Sequence, residues 1–222
     1  MNRVVITGAG SINPLGGDVP QTLAAMSNGV CGIGPLDFQD VDRLSIKIGG
    51  QVKNYDLATH FNRQQIALYD RFTQFTLIAA REALKQSGLK FVGELAESSG
   101  VVLGTATGGM KTWDDNYRAV YEGGKNRVHP FVVPKLMNNA ATSHVSIEFN
   151  VKGPSFTVST ACASSNHAIG LAFQMVRSGI APVMVTGGSE AMLCFGGMKA
   201  WEGLRVMSHD ACRPFSANRN GM

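Results

Sequence analysis

The chain has 222 residues, 44% of them hydrophobic and 16% charged, enough apolar material for one substantial buried core. No apolar run approaches the ~18 residues of a membrane span, and no signal-peptide apolar segment follows Met1, which excludes a helical membrane protein and predicts a cytoplasmic one. A net charge of +4 and a pI near 9.0 suit an acidic partner, but equally a neutral surface with a few extra lysines; neither nucleic acid nor membrane is expected as a partner.

Cysteines stand at 31, 162, 194 and 212, with no metal-ligand spacing and no disulfide framework, so a reducing compartment is expected and no metal site. Residues 1–7 read as a strand. Gly8-Ala-Gly10-Ser-Ile-Asn13 then invites comparison with a dinucleotide fingerprint, but Asn13 holds the third glycine position and Pro14 follows at once. No clean helix opens where a pyrophosphate needs an N-terminus, so the stretch reads as a tight turn leading to a helix over 20–28.

Residues 46–52 form a short strand candidate, and 62–86 a long helix closing on Gly88, with Leu77, Ile78, Ala80 and Leu84 on its apolar face. Residues 99–105 read as a buried strand running into the glycine-rich turn Gly104-Thr-Ala-Thr-Gly-Gly109. No Lys-Ser or Lys-Thr pair follows, so this is not a P-loop but a turn that lets backbone pass close to a site. Residues 134–149 predict a helix with proline at its start, and 183–186 a buried strand entering Gly187-Gly-Ser-Glu190. Alternating strands and helices predict an α/β layered fold. The methionines at 184, 192, 198 and 207 fit either an adaptable apolar tunnel or ordinary gap-filling in a core.

The most informative stretch is Gly153-Pro-Ser-Phe-Thr-Val-Ser-Thr-Ala-Cys162-Ala-Ser-Ser-Asn-His-Ala-Ile-Gly170. Phe156 and Val158 alternate with Ser155, Thr157 and Ser159 as a strand does, whereas Ala168, Leu171, Ala172, Met175 and Val176 follow helical spacing. Cys162 therefore falls at or just before a helix N-terminus. A thiolate there faces unpaired N–H groups and the positive end of the helix, worth ~0.3–1 kcal/mol, so other groups must contribute if it is to be a nucleophile. A small buried hydrophobe is the alternative reading of the same residue. His167 lies five residues on, ~500° of rotation, hence about 140° away around the helix, which makes a direct Cys–His pair awkward and assigns it to packing.

The words Ser159-Thr-Ala-Cys162-Ala-Ser-Ser closely resemble the active-site segment of the β-ketoacyl-acyl-carrier-protein synthases, the condensing enzymes of fatty-acid and polyketide synthesis. The resemblance extends over Val4-Val-Ile-Thr-Gly-Ala-Gly10, Gly104-Thr-Ala-Thr-Gly-Gly109, Pro130-Phe-Val-Val-Pro134, Gly153-Pro154, Gly187-Gly-Ser-Glu190 and Arg213-Pro-Phe215, in the family's order, and looks most like the type II branch. It implies a thiolase-like α-β-α-β-α sandwich, of which residues 1–222 supply the first half, ending inside a recognisable family segment. The family's two catalytic histidines and a lysine belong to its second half.

By the same resemblance Cys162 is the acyl-accepting nucleophile, and Thr107, Met192 and Trp201 match acyl-pocket residues, Thr107 where many relatives carry an aliphatic side chain. No cofactor is implied. The partners implied are an acyl-carrier protein bearing acyl and malonyl thioesters, and a second copy or a close homologue docked on the 130–134 segment. Relatives often carry basic residues for the carrier where this chain has Ile66, Ala67 and Leu68, flanked only by Arg63 and Arg71; Lys125, Arg127 and Arg205 become the better candidates. Two other readings stand beside the synthase: a non-catalytic chain-length-factor-like partner subunit, against which Cys162 argues, and a thiolase-like acyltransferase acting on coenzyme A thioesters.

Overall fold

The computed structural model describes residues 1–53 and 55–222. Its centre is β3 (Gly100–Gly104), the strand predicted over 99–105, buried along its whole length. It pairs in parallel with β4 (Ser155–Val158) on one side and β5 (Met184–Gly188) on the other, giving the order β4-β3-β5. The remaining strands, β1 (Gly34–Pro35) and β2 (Ile48–Gly49), form a small antiparallel pair.

The helices in chain order are α1 (Val19–Ser27), α2 (Leu57–His60), α3 (Arg63–Leu68), α4 (Arg71–Ser87), α5 (Gly93–Ser98), α6 (Met110–Tyr121), α7 (Val132–Leu136), α8 (Ala140–Phe149), α9 (Ser164–Arg177) and α10 (Phe195–Gly203). Strand alternation decides the layering. Val101 and Leu103 join Phe72, Leu77 and Ile78 of α4 and Val145 of α8 in the main core. Val102 lies on the opposite pleat, and α9 packs on β3 and β5 with Ala168 and Ala172 buried. A second core of Leu36, Leu44, Ile46 and Met198 fastens the β1–β2 region to α10.

Four predicted elements differ from what formed, the strand expected over 46–52 being only Ile48–Gly49. Residues 1–7 enter no ladder, and Val5 and Ile6 are exposed. Helix side chains hold the segment that follows: Gln86 accepts from Ala9 N–H (2.7 Å) and Glu82 from Ser11 N–H (2.9 Å). Gly8 and Gly10 permit that approach, since a Cβ would stand 2.1 Å from Ala83 O and 1.8 Å from Ala79 O. The helix predicted over 62–86 is two helices, because Tyr69 and Asp70 are extended and the Asp70 carboxylate caps α4 at Phe72 N–H. It ends on Gly88 as predicted, at φ 67°. The helix over 134–149 is also two, parted where the Gly108–Gly109 turn nests against Leu136 and Asn138.

Candidate active site

Cys162 occupies a tight turn between β4 and α9, two residues ahead of the first helical residue and exposed. One hydroxyl closes that turn: Ser164 Oγ accepts from Thr160 N–H (2.9 Å) and donates to Ala161 O (2.6 Å). Backbone bonds Ala163 N→Thr160 O and Ser164 N→Ala161 O reinforce it, and the Cys162 N–H takes no part in these bonds. Ala161 is left-handed at φ 51°, a conformation costing a non-glycine residue about 1–2 kcal/mol, so packing pins the backbone just before the sulfur.

The ends of β3 and β5 make the platform beneath. Gly104 and Gly188 are paired in register, and α9 begins directly against them. A Cβ on Gly104 would meet the Ser164 carbonyl carbon at 2.3 Å, and one on Gly188 would meet Ser165 Cβ at 2.5 Å. Gly104 ends a buried strand, whereas the strand expected to be buried over 183–186 is only partly buried and Gly188 at its end is exposed.

Beside this platform stands the 105–107 turn. Ser159 Oγ donates to Ala106 O (3.3 Å), tying it to the chain just before Cys162. The Glu190 carboxylate accepts from Ala106 N–H (2.8 Å), Thr107 N–H (3.3 Å), Thr105 Oγ1 (3.2 Å) and Thr107 Oγ1 (2.5 Å). At the start of α6, Asp70 is 2% exposed and accepts from Thr112 N–H (2.9 Å) and Thr112 Oγ1 (2.5 Å). Two carboxylates from distant elements thus hold the 105–107 turn and the start of α6.

Of the predicted site residues, Cys162 and Thr107 are brought to neighbouring turns. Met192 lines a cleft of about 410 Å³ together with Glu190, Arg71 and Ser11, and Cys162 and Thr107 lie outside that lining. Trp201 is half-buried on α10, also outside it. The four methionines disperse: Met198 and Met207 belong to the second core, Met192 to the cleft, and Met184 sits against Gly100 at the start of β5. Lys125, Arg127 and Arg205 are exposed.

His144 packs against Tyr69 with the ring centroids 4.4 Å apart and the planes tilted by 58°, and burial lowers its pKa, while His129 Nδ1 accepts from Phe131 N–H. His167 is exposed on α9, and no hydrogen bond joins a histidine to Cys162 among the described residues. Cys194 is buried, and burial pushes its thiol up to about 11, which makes it inert at neutral pH. Among the described residues no cluster of three or more His, Cys, Asp or Glu could hold a metal ion, and no helix is long and apolar enough to cross a membrane.

The family model described as "Beta-ketoacyl synthase, N-terminal domain" matches residues 1–222. The chain belongs to that family. It is 38% identical to 3-oxoacyl-(acyl-carrier-protein) synthase 2 of Staphylococcus aureus (strain N315), over 99% of this chain and 54% of that protein. A β-ketoacyl synthase from Burkholderia phymatum STM815 superposes with a TM-score of 0.83 at 26% identity, covering 100% of this chain and 56% of that one. The ishigamide ketosynthase/chain length factor superposes with a TM-score of 0.87 at 23% identity, over 98% of this chain and 54% of that one, a likeness of fold. The predicted thiolase-like α/β architecture is therefore the observed one, and the chain spans about half the length of these relatives.

Proposed function

We propose that the protein performs the decarboxylative Claisen condensation of an acyl thioester with a malonyl thioester, both delivered on an acyl-carrier protein, in fatty-acid or polyketide elongation in the cytoplasm. The observation that carries this reading is the placement of Cys162: an exposed thiol on a pinned turn, ahead of α9 and over the paired glycines. Cys162 gives up its proton and its thiolate attacks the acyl carbonyl; the bond to the carrier's sulfur breaks, and the departing carrier thiolate takes up a proton in place of the one Cys162 lost. Loss of CO₂ from the malonyl thioester then gives an enolate, which attacks the acyl-Cys162 carbonyl; the cysteine thiolate departs and a 3-oxoacyl thioester remains. The Cys162 N–H serves as one oxyanion donor.

The groups that promote decarboxylation belong, in this reading, to the part of the relatives that residues 1–222 do not span, and these residues alone do not complete a condensation. The exposed Ile169, Leu171 and Phe173 of α9 and the unpaired 1–7 segment support a second half packing there. In this reading Met192 borders the acyl chain from its cleft, Thr107 and Trp201 join it once the second half packs against them, the 130–134 segment meets a second copy or homologue, and Lys125, Arg127 and Arg205 receive the acidic carrier.

The intact mass of the protein, expressed at its natural length and incubated with an acyl-carrier thioester, tests the reading. One acyl adduct per chain, absent in Cys162→Ala, is expected. A folded, dimeric protein that takes no adduct points instead to the chain-length-factor-like partner role, and labelling by coenzyme A thioesters without any carrier to the thiolase-like one.

A further inference from the structure

We propose that Glu190 is a positioning residue of the Cys162 site, one that holds the Thr107 hydroxyl away from the acyl chain so that Thr107 meets it through its methyl group. The inference rests on the synthase reading and on Thr107 as a pocket residue. Its geometric basis is independent of both. Four donors from three consecutive residues, 105–107, converge on one carboxylate that arrives from beyond β5, 83 to 85 residues away in sequence.

The division of labour between the two oxygens is specific. Oε2 takes the Ala106 and Thr107 N–H groups and the Thr105 hydroxyl, which fixes the backbone of the turn. Oε1 takes the Thr107 hydroxyl alone, at 2.5 Å. A threonine whose hydroxyl is engaged in this way has only its methyl left to offer an apolar neighbour, and it then resembles valine in shape and surface. Released from Glu190, the same hydroxyl would face an acyl chain without a partner, and an unsatisfied buried hydroxyl is penalised heavily. The turn cannot simply drift, because Thr105 Oγ1 also accepts from Gly108 N–H and Ser159 holds Ala106 O.

The test uses the natural-length protein and compares the rates of Cys162 acylation by decanoyl-carrier and acetyl-carrier thioesters. Acylation of the unaltered protein tests the synthase reading; the decanoyl-to-acetyl ratio among variants tests this inference. Glu190→Ala should lower the ratio roughly tenfold, because only the long chain meets the freed hydroxyl. Adding Thr107→Val to Glu190→Ala should restore it. Glu190→Gln, which keeps an oxygen for the turn and offers an amide to the Thr107 hydroxyl, should stay within roughly threefold of the unaltered protein. Thr107→Val alone alters a pocket residue and can move both rates, but it should not lower the ratio, and it decides the matter if Glu190→Ala does not fold. A ratio lowered by Thr107→Val alone, or an equal loss with both thioesters in Glu190→Ala, overturns the proposal. If the unaltered protein takes no acyl group, the proposal falls with the reading beneath it.

Discussion

Gly104 and Gly188 sit opposite each other across β3 and β5, and the missing side chains of both leave the room into which the first turn of α9 descends. The height of Cys162 above the sheet is set by that pair. Neither glycine has a positive φ, so close approach rather than backbone freedom is what each supplies.

Gly104→Ala should accordingly push Ser164 outward and disturb the Cys162 turn. A Cβ 2.3 Å from a backbone carbonyl carbon has no flexible neighbour to displace, so a destabilisation of ~1–3 kcal/mol is expected, with a roughly hundredfold loss of Cys162 acylation. Thermal unfolding and intact-mass kinetics read the two effects separately. Gly188→Ala, facing the Ser165 side chain at 2.5 Å, should do the same.

Alkaline pH should destabilise the fold through Cys194. Its thiol titrates near 9.0 when unperturbed and is pushed up to about 11 by burial, so the neutral form is favoured in the folded state. Its contribution is therefore complete below pH 9.0 and lost as the pH rises toward about 11. Urea midpoints measured at about pH 8 and about pH 10.5 should differ more for the unaltered protein than for Cys194→Ala. Alkylation in the native state near neutral pH should mark the exposed Cys31, Cys162 and Cys212 and spare Cys194.

Asp70→Ala removes the cap of α4 and strands the N–H and hydroxyl of Thr112. A loss of roughly 2–4 kcal/mol is expected, about one from the cap and the rest from unsatisfied buried groups. Chemical denaturation checks it. Asp70→Asn, which keeps an acceptor oxygen, should lose less.

Exchanging Lys125 and Arg127 for glutamate should slow acylation by a carrier thioester roughly tenfold at low salt, with the gap closing as salt rises. Acylation by a small pantetheine thioester should be unaffected. A stopped-flow salt series on both donors separates docking from chemistry, and an unchanged carrier rate would remove both residues from the docking surface.

Much of the site was legible in order along the chain. The change from strand to helix periodicity placed Cys162 within two residues of the observed start of α9, because both periods come from local backbone geometry. Gly88 closed α4 for the same reason. The splits at Tyr69–Asp70 and Met137–Asn139 were not legible, since the apolar pattern runs through both and the interruptions answer to Thr112 and to Gly108–Gly109, far away in sequence. The expected first strand stayed unpaired because a strand exists only where another backbone lies alongside it.

What the sequence by itself determined is the family, the layered α/β class and the position of the nucleophile candidate, all of which depend on residue type and short-range spacing. Tertiary structure alone decided which groups surround that cysteine. Glu190 reaches the 105–107 turn, and Ser159 the carbonyl of Ala106, only after three parallel strands have brought their C-terminal ends to one edge of the sheet. Hydrogen bonds across 83 to 85 residues leave no local imprint, because two of the four donors are backbone N–H groups, which every non-proline residue carries alike, and the other two are hydroxyls of a residue type common throughout the chain.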